Sequence, residues 1–178
     1  GKLYARASGE ADEIAIAIDE QYMPRGAGSE TATSITGQIL SISDKMDTLV
    51  GIFAIGQKPT GVKDPFALRR ASLGILRTII ERNLDINLVD LIQASADSLS
   101  DKLDAQPVTD DVFDYILDRL RAYYMDKGVT PGVFDAVSVL KPARPLDFDK
   151  RIKAVTAFNA LPEAESLAAA NKRVANIL

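Results

Sequence analysis

Apolar residues along this chain recur at helical spacing, in segments separated by glycine, proline and small polar residues. Ser8 precedes Gly9, Glu10, Ala11, Asp12 and Glu13, an acidic first turn leading into Ile14, Ala17 and Ile18. Pro24, Gly26, Gly28 and Ser29 mark a loop from Met23 to Thr33. From about Thr33 to Phe53, the positions Ile35, Ile39, Ile42, Met46, Leu49, Val50 and Phe53 predict a helix with one apolar face. Gly56 through Lys63 breaks it. Asp64-Pro65 then supplies an N-cap and a first-turn proline for a helix to about Arg82.

Further on, Asn87 or Asp85 starts a helix to about Leu103, and Thr109 caps another. The latter carries Val112, Phe113, Ile116, Leu117, Leu120, Tyr123 and Tyr124 as an apolar arc, and Gly128 ends it. Thr130-Pro131 repeats the cap-plus-proline signature for a short helix to Leu140. Pro142 and Pro145 predict an extended link, Asp147 opens a helix using Phe148, Ile152 and Val155, and Pro162 opens the last one. The expectation is an all-α fold, with a helical domain over residues 1–145 and a helical connection with a trailing C-terminal helix over 146–178.

Composition narrows the chemistry. The chain has 178 residues, 47% of them hydrophobic and 26% charged, enough to bury a core. With no cysteine there are no disulfides or thiolate metal sites, and a cytoplasmic, reducing setting is expected. No run of about 18 apolar residues suggests a membrane span. Histidine is absent as well, which removes the commonest general base and the commonest zinc ligand. The opening Gly1-Lys2-Leu3-Tyr4 and the closing Asn176-Ile177-Leu178 both read as cut ends, so a piece of a longer protein is expected.

The net charge of −4 argues against indiscriminate nucleic-acid binding, but its distribution is uneven. Residues 58–82 carry +4 through Lys58, Lys63, Arg69, Arg70, Arg77 and Arg82 against Asp64 and Glu81. Residues 141–153 carry +3 through Lys141, Arg144, Lys150, Arg151 and Lys153 against Asp147 and Asp149. Residues 1–57 and 83–140 are acidic, at −4 and −7. The basic segments could meet a phosphate backbone, with Lys58, Lys63, Arg70, Arg77, Lys150, Arg151 and Lys153 as candidate contacts, or be solvated helix faces. Arg69 falls inside the apolar arc of its helix, where a buried guanidinium demands a partner. A structural ion pair with Asp44 or Asp47 on the preceding helix is expected.

Two motifs are set aside. Gly56-Gln57-Lys58-Pro59-Thr60-Gly61-Val62-Lys63 has the outline of a phosphate-binding loop, but Val62 intervenes and Asp64 stands where Ser or Thr is required. Asp44 and Asp47, three apart on a helix, are a weak basis for a metal site, and no metal is assigned.

The run Asp44-Lys45-Met46-Asp47-Thr48-Leu49-Val50-Gly51-Ile52-Phe53-Ala54-Ile55-Gly56-Gln57-Lys58-Pro59-Thr60-Gly61-Val62-Lys63-Asp64-Pro65-Phe66-Ala67-Leu68-Arg69-Arg70 resembles the beta subunit of bacterial two-subunit glycine–tRNA ligases. Three further stretches fit in order: Tyr4-Ala5-Arg6 with Gly9-Glu10, Glu20-Gln21-Tyr22-Met23-Pro24 with Ala27-Gly28, and Ala168-Ala169-Ala170-Asn171-Lys172-Arg173-Val174. The resemblance implies an HD-like helical bundle leading toward an anticodon-binding domain. It implies a tRNA-binding and scaffolding role beside an alpha subunit, with tRNA-Gly as the other partner. ATP and magnesium would then be used in the alpha subunit, with no cofactor and no catalytic residue in this segment. Asp44 also resembles the last aspartate of HD-type metal-dependent phosphohydrolases, one alternative reading beside a purely structural helical spacer, although their His-Asp pair has no counterpart here. Residues 29–37 depart from the family's usual Ala-Gly-Asp context.

Overall fold

A computed structural model describes residues 1–26, 28–60 and 63–175. Ala27, Gly61, Val62 and the closing Asn176-Ile177-Leu178 lie outside it, as do the side chains at 165, 172, 174 and 175. Ala27 of the Ala27-Gly28 match, the Gly61-Val62 part of the loop motif and the side chains of Lys172 and Val174 therefore fall outside what is described.

The fold is all-α, as expected. The helices are α1 (Lys2–Ala7), α2 (Asp12–Glu20), α3 (Ile35–Ala54), α4 (Leu68–Glu81), α5 (Leu88–Leu99), α6 (Thr109–Asp126), α7 (Pro131–Ser138), α8 (Pro145–Asn159) and α9 (Ala164–Ala175). A 3-10 turn over Gln106–Val108 leads into α6. Among the described residues the only β pairing is an isolated bridge between Thr60 and Lys63. No helix of the described residues is long and apolar enough to cross a membrane.

α3 and α4 pack against each other at the centre; α2 and α5 flank α3, and α6 and α8 flank α4. Met46, Leu49 and Val50 of α3 and Leu68, Ile75, Leu76 and Ile79 of α4 are sealed from solvent with Ile92, Ile116 and Leu120. Burial of such side chains contributes about 1.5–3 kcal/mol each. Phe148 and Ile152 of α8 enter the same core, where Phe148 stacks on Tyr124 at 5.6 Å.

Local signals were displaced in several places, each for a visible reason. Ile35 and Ile39 are 75% and 61% exposed, although they continue the apolar stripe of α3. The inward face of those turns is instead Gly37, Gln38 and Ser41, because Glu20 and the 31–34 strand of loop meet α3 through hydrogen bonds. Pro65 is not at the first position of α4, which begins at Leu68 behind Ala67 in the left-handed region (φ 56°). Asp64 still caps it from further back, accepting from the Leu68 and Arg69 amides at 2.8 and 3.0 Å. Thr109 is the first residue of α6 and not its cap; its hydroxyl donates back to the Gln106 carbonyl at 3.2 Å. Thr130 makes no side-chain cap, although Pro131 does open α7. Pro145 begins α8 two residues before Asp147, its missing N–H costing nothing in a first turn. Of the two alternatives for α5, Asn87 is the cap, accepting from Val89 N at 3.0 Å.

Candidate nucleic-acid interface

Most of the basic residues of 58–82 and 141–153 have partners within the chain, many of them in surface ion pairs. Arg77 is only 12% exposed; it donates to Glu81 at 2.8 Å and to the carbonyls of Ser29 (2.7 Å) and Gly26 (3.4 Å). Arg82 clasps the same loop one turn later, donating to the Thr31 carbonyl at 2.6 Å and its hydroxyl at 3.0 Å. Both arginines hold the 26–31 loop onto α4. In the second segment Lys141 pairs with Asp114, Arg144 with Asp85, Arg151 with Asp147 and Lys153 with Asp149. The hydrogen bond to Asp149 raises the Lys153 pKa above the ordinary lysine value. Lys150 is exposed on α8. Lys58 pairs with Asp111 of α6 and lies 5.6 Å from the centre of the Phe53 ring. Lys63 is exposed at the Thr60 bridge.

Arg70 differs. It is exposed and faces a cleft of about 440 Å³ between the 21–25 loop, α3 and the start of α4. Arg25 and Lys45 line the same cleft, as do Tyr22 and Phe66, which are 62% and 41% exposed. Two open aromatic faces among three cations are what stacking bases and neighbouring phosphates require. Asp44 is the opposing charge in the lining, and its carboxylate accepts from Gln21 Nε2 at 3.1 Å.

Each wall of the cleft has a local cause. Gly74 lets α4 approach α3: a Cβ there would stand 3.0 Å from Lys45 Cε and 3.5 Å from Pro24 Cδ. Ser41 donates to the Met23 carbonyl at 2.6 Å, fixing the loop that carries Tyr22 and Arg25. Lys45 Nζ bridges loop and helix, donating to Gln21 O at 2.8 Å and to Ser41 Oγ at 2.7 Å. Burial lowers its pKa, and the neighbouring Asp44 carboxylate opposes that shift. Arg25 is steadied by Asp19 at 2.6 Å, and Ala67 with its Asp64 cap turns the chain so that Phe66 and Arg70 share one side.

Arg69, Asp44 and Asp47 line three separate clefts. Arg69 looks into the groove between α4 and α6, Asp44 into the cleft just described, and Asp47 into a pocket against α5, where its carboxylate accepts from Ser95 at 2.6 Å. Among the described residues, no group of three or more aspartates and glutamates gathers as a metal would need.

Tyr22, Arg25, Lys45 and Phe66 were not singled out from the sequence. Arg25 sits in the loop that is read only for its breakers, and Tyr22, Lys45 and Phe66 enter only as parts of the stretches that resemble the family. Only an aromatic and a cation within four residues, twice over, hinted at them.

The sequence model of the family described as "Glycyl-tRNA synthetase beta subunit" matches residues 1–139. The chain belongs to the glycyl-tRNA synthetase beta subunit family. The glycine–tRNA ligase beta subunit of Pseudomonas aeruginosa (strain UCBPP-PA14) is 55% identical over 178 residues, all of this chain and 26% of that protein. The beta subunits of Pseudomonas syringae pv. tomato and Stutzerimonas stutzeri are 53% and 51% identical over the same coverage. The chain therefore spans about a quarter of the length of these curated relatives.

Proposed function

We propose that this chain is an RNA-binding and scaffolding piece of a glycine–tRNA ligase beta subunit, an HD-like helical bundle beside an alpha subunit that performs the ATP- and magnesium-dependent chemistry. The observation that carries the reading is the Tyr22–Phe66–Arg25–Arg70 cleft, because it sets two exposed aromatic rings beside the exposed Arg70 and an Arg25 steadied by Asp19 on one wall of the bundle. Lys63 and Lys150 add outlying positive charge to this reading, while Lys58, Arg77, Arg151 and Lys153 are held by acidic or carbonyl partners and add less. Net charge stays negative, so affinity rests on this local patch and not on a general field. Residues 146–178 serve as the connection to the next domain of the beta subunit.

A phosphohydrolase reading centred on Asp44 gains no support, since Asp44 hydrogen-bonds to Gln21 and, among the described residues, no cluster of carboxylates that could hold a metal is found. The test is direct. Fluorescence anisotropy of a labelled tRNA-Gly transcript against the 178-residue chain should give saturable binding that weakens with salt. Tyr22→Ala with Phe66→Ala should reduce the affinity by about tenfold or more, in line with roughly 1–3 kcal/mol for each stacked base. Equal binding by the double variant would remove the cleft from the reading.

A further inference from the structure

We propose that the Asp44 carboxylate, on the α3 wall of the cleft, reads the Watson–Crick edge of an unpaired guanine. This rests on the reading of the cleft as an RNA site and deepens it, assigning the cleft one base of a single-stranded segment.

A carboxylate is out of place in a surface that only holds phosphates. It has no donor to offer, and it repels the backbone that Arg70 and Arg25 attract. Asp44 nevertheless lines the cleft with Tyr22, Phe66 and Arg70, and its side chain is exposed. The group that holds it is neutral: Gln21 Nε2 donates to Asp44 Oδ1 at 3.1 Å. Lys45, the next residue, is committed elsewhere, to the Gln21 carbonyl at 2.8 Å and Ser41 Oγ at 2.7 Å. Thr48, one turn on, donates its hydroxyl to the Asp44 main-chain carbonyl at 2.9 Å and does not compete for the carboxylate. A carboxylate has about four lone-pair sites, so the bond from Gln21 orients Asp44 and leaves both of its oxygens able to accept.

A group that only accepts selects an edge that donates. Among the four RNA bases, guanine alone sets two adjacent donors, N1–H and N2–H, on its Watson–Crick edge, where they match the two oxygens of a carboxylate. Adenine and cytosine offer one amino donor beside a ring-nitrogen acceptor, whose lone pair would face the carboxylate. Uracil sets its one donor between two carbonyls. The remaining O6 of guanine is an acceptor, which suits a lining that also carries Arg25 and Arg70. This edge is open only in an unpaired nucleotide, and the exposed rings of Tyr22 and Phe66 are suited to bases that have left a helix.

Anisotropy titrations of the 178-residue chain with labelled oligonucleotides at matched ionic strength test the assignment. The set is a uridine heptamer, its variants with one central guanine, adenine or cytosine, and a hairpin in which that guanine is paired. The guanine heptamer should bind at least about fivefold more tightly than the other three and the hairpin, the low end for one bidentate base contact. Asp44→Asn should abolish that preference and bind the uridine heptamer as tightly as wild type or more so. Such a reordering of the bases would not follow from a merely structural role for Asp44. Heptamers that bind equally well, yet weaken together in the Tyr22→Ala, Phe66→Ala variant, overturn the assignment and leave the RNA cleft standing. A guanine preference that survives in Asp44→Asn overturns it as well, as does the absence of saturable binding to any heptamer. Binding that the double variant leaves unchanged removes the cleft and this assignment together. The order of the four heptamers on the wild-type chain decides even where Asp44→Asn fails to fold.

Discussion

Glu20 occupies the space that a side chain at position 37 would need. A Cβ built on Gly37 would collide with Glu20 Oε2 and stand 2.7 Å from Glu20 Cβ and 2.8 Å from Ser34 Oγ. The carboxylate is nearly buried and accepts from the Thr33 amide (2.8 Å), the Thr33 hydroxyl (2.6 Å), the Ser34 amide (3.1 Å) and the Ser34 hydroxyl. Ser34 in turn caps α3 by accepting from Gly37 N at 3.0 Å. The stretch that departs from the family's usual context thus builds the start of α3.

Gly37→Ala should therefore destabilise the chain by about 2–3 kcal/mol, the cost of forcing an atom into a packed site. Gly132→Ala, in α7 with open space around it, should instead stabilise by roughly 0.5–1 kcal/mol through helix propensity. Urea midpoints of the two variants test the contrast.

Acid stability should depend on Glu20. Burial by itself would raise its pKa, but the hydrogen bonds from Ser34 and Thr33 outweigh this and hold it below the ordinary value of 4.5. Its contribution is fully present above pH 4.5 and is lost as the pH falls through the lower folded value. The stability gap between wild type and Glu20→Gln, followed by urea unfolding from pH 7 to pH 3, should narrow below pH 4.5. A constant gap would contradict the assignment.

Alkaline stability should depend on Tyr124. Burial, followed by the nearby Asp149 charge and the 3.0 Å hydrogen bond to it, pushes its pKa far above the ordinary 10.0. Stability from this group is present below pH 10 and declines as the pH rises beyond it, because the unfolded phenol ionises first. Absorbance at the phenolate band should show Tyr124 ionising only with unfolding, and Tyr124→Phe should remove that step.

Arg70 and Arg77 lie two turns apart on α4 and should separate by assay. Arg70→Ala should leave the unfolding midpoint unchanged and reduce the salt dependence of RNA binding by about one counterion. Arg77→Ala should cost about 2 kcal/mol of stability, since it strands the Ser29 and Gly26 carbonyls, and should leave that salt slope alone. A reversed pattern would place the RNA contact two turns further along the helix, at Arg77.

From residue order alone came the all-α class, the position of nearly every helix and the family, because helical spacing and breaker residues are local properties. The spent Arg77 and the open Arg70 could not be read that way. Identical guanidiniums acquire different roles only when the 26–31 loop, α3 and α6 close around α4 and supply or withhold partners. Tertiary packing likewise left Ile35 and Ile39 facing water, because the inward surface at that end of α3 belongs to Glu20 and its hydroxyl donors.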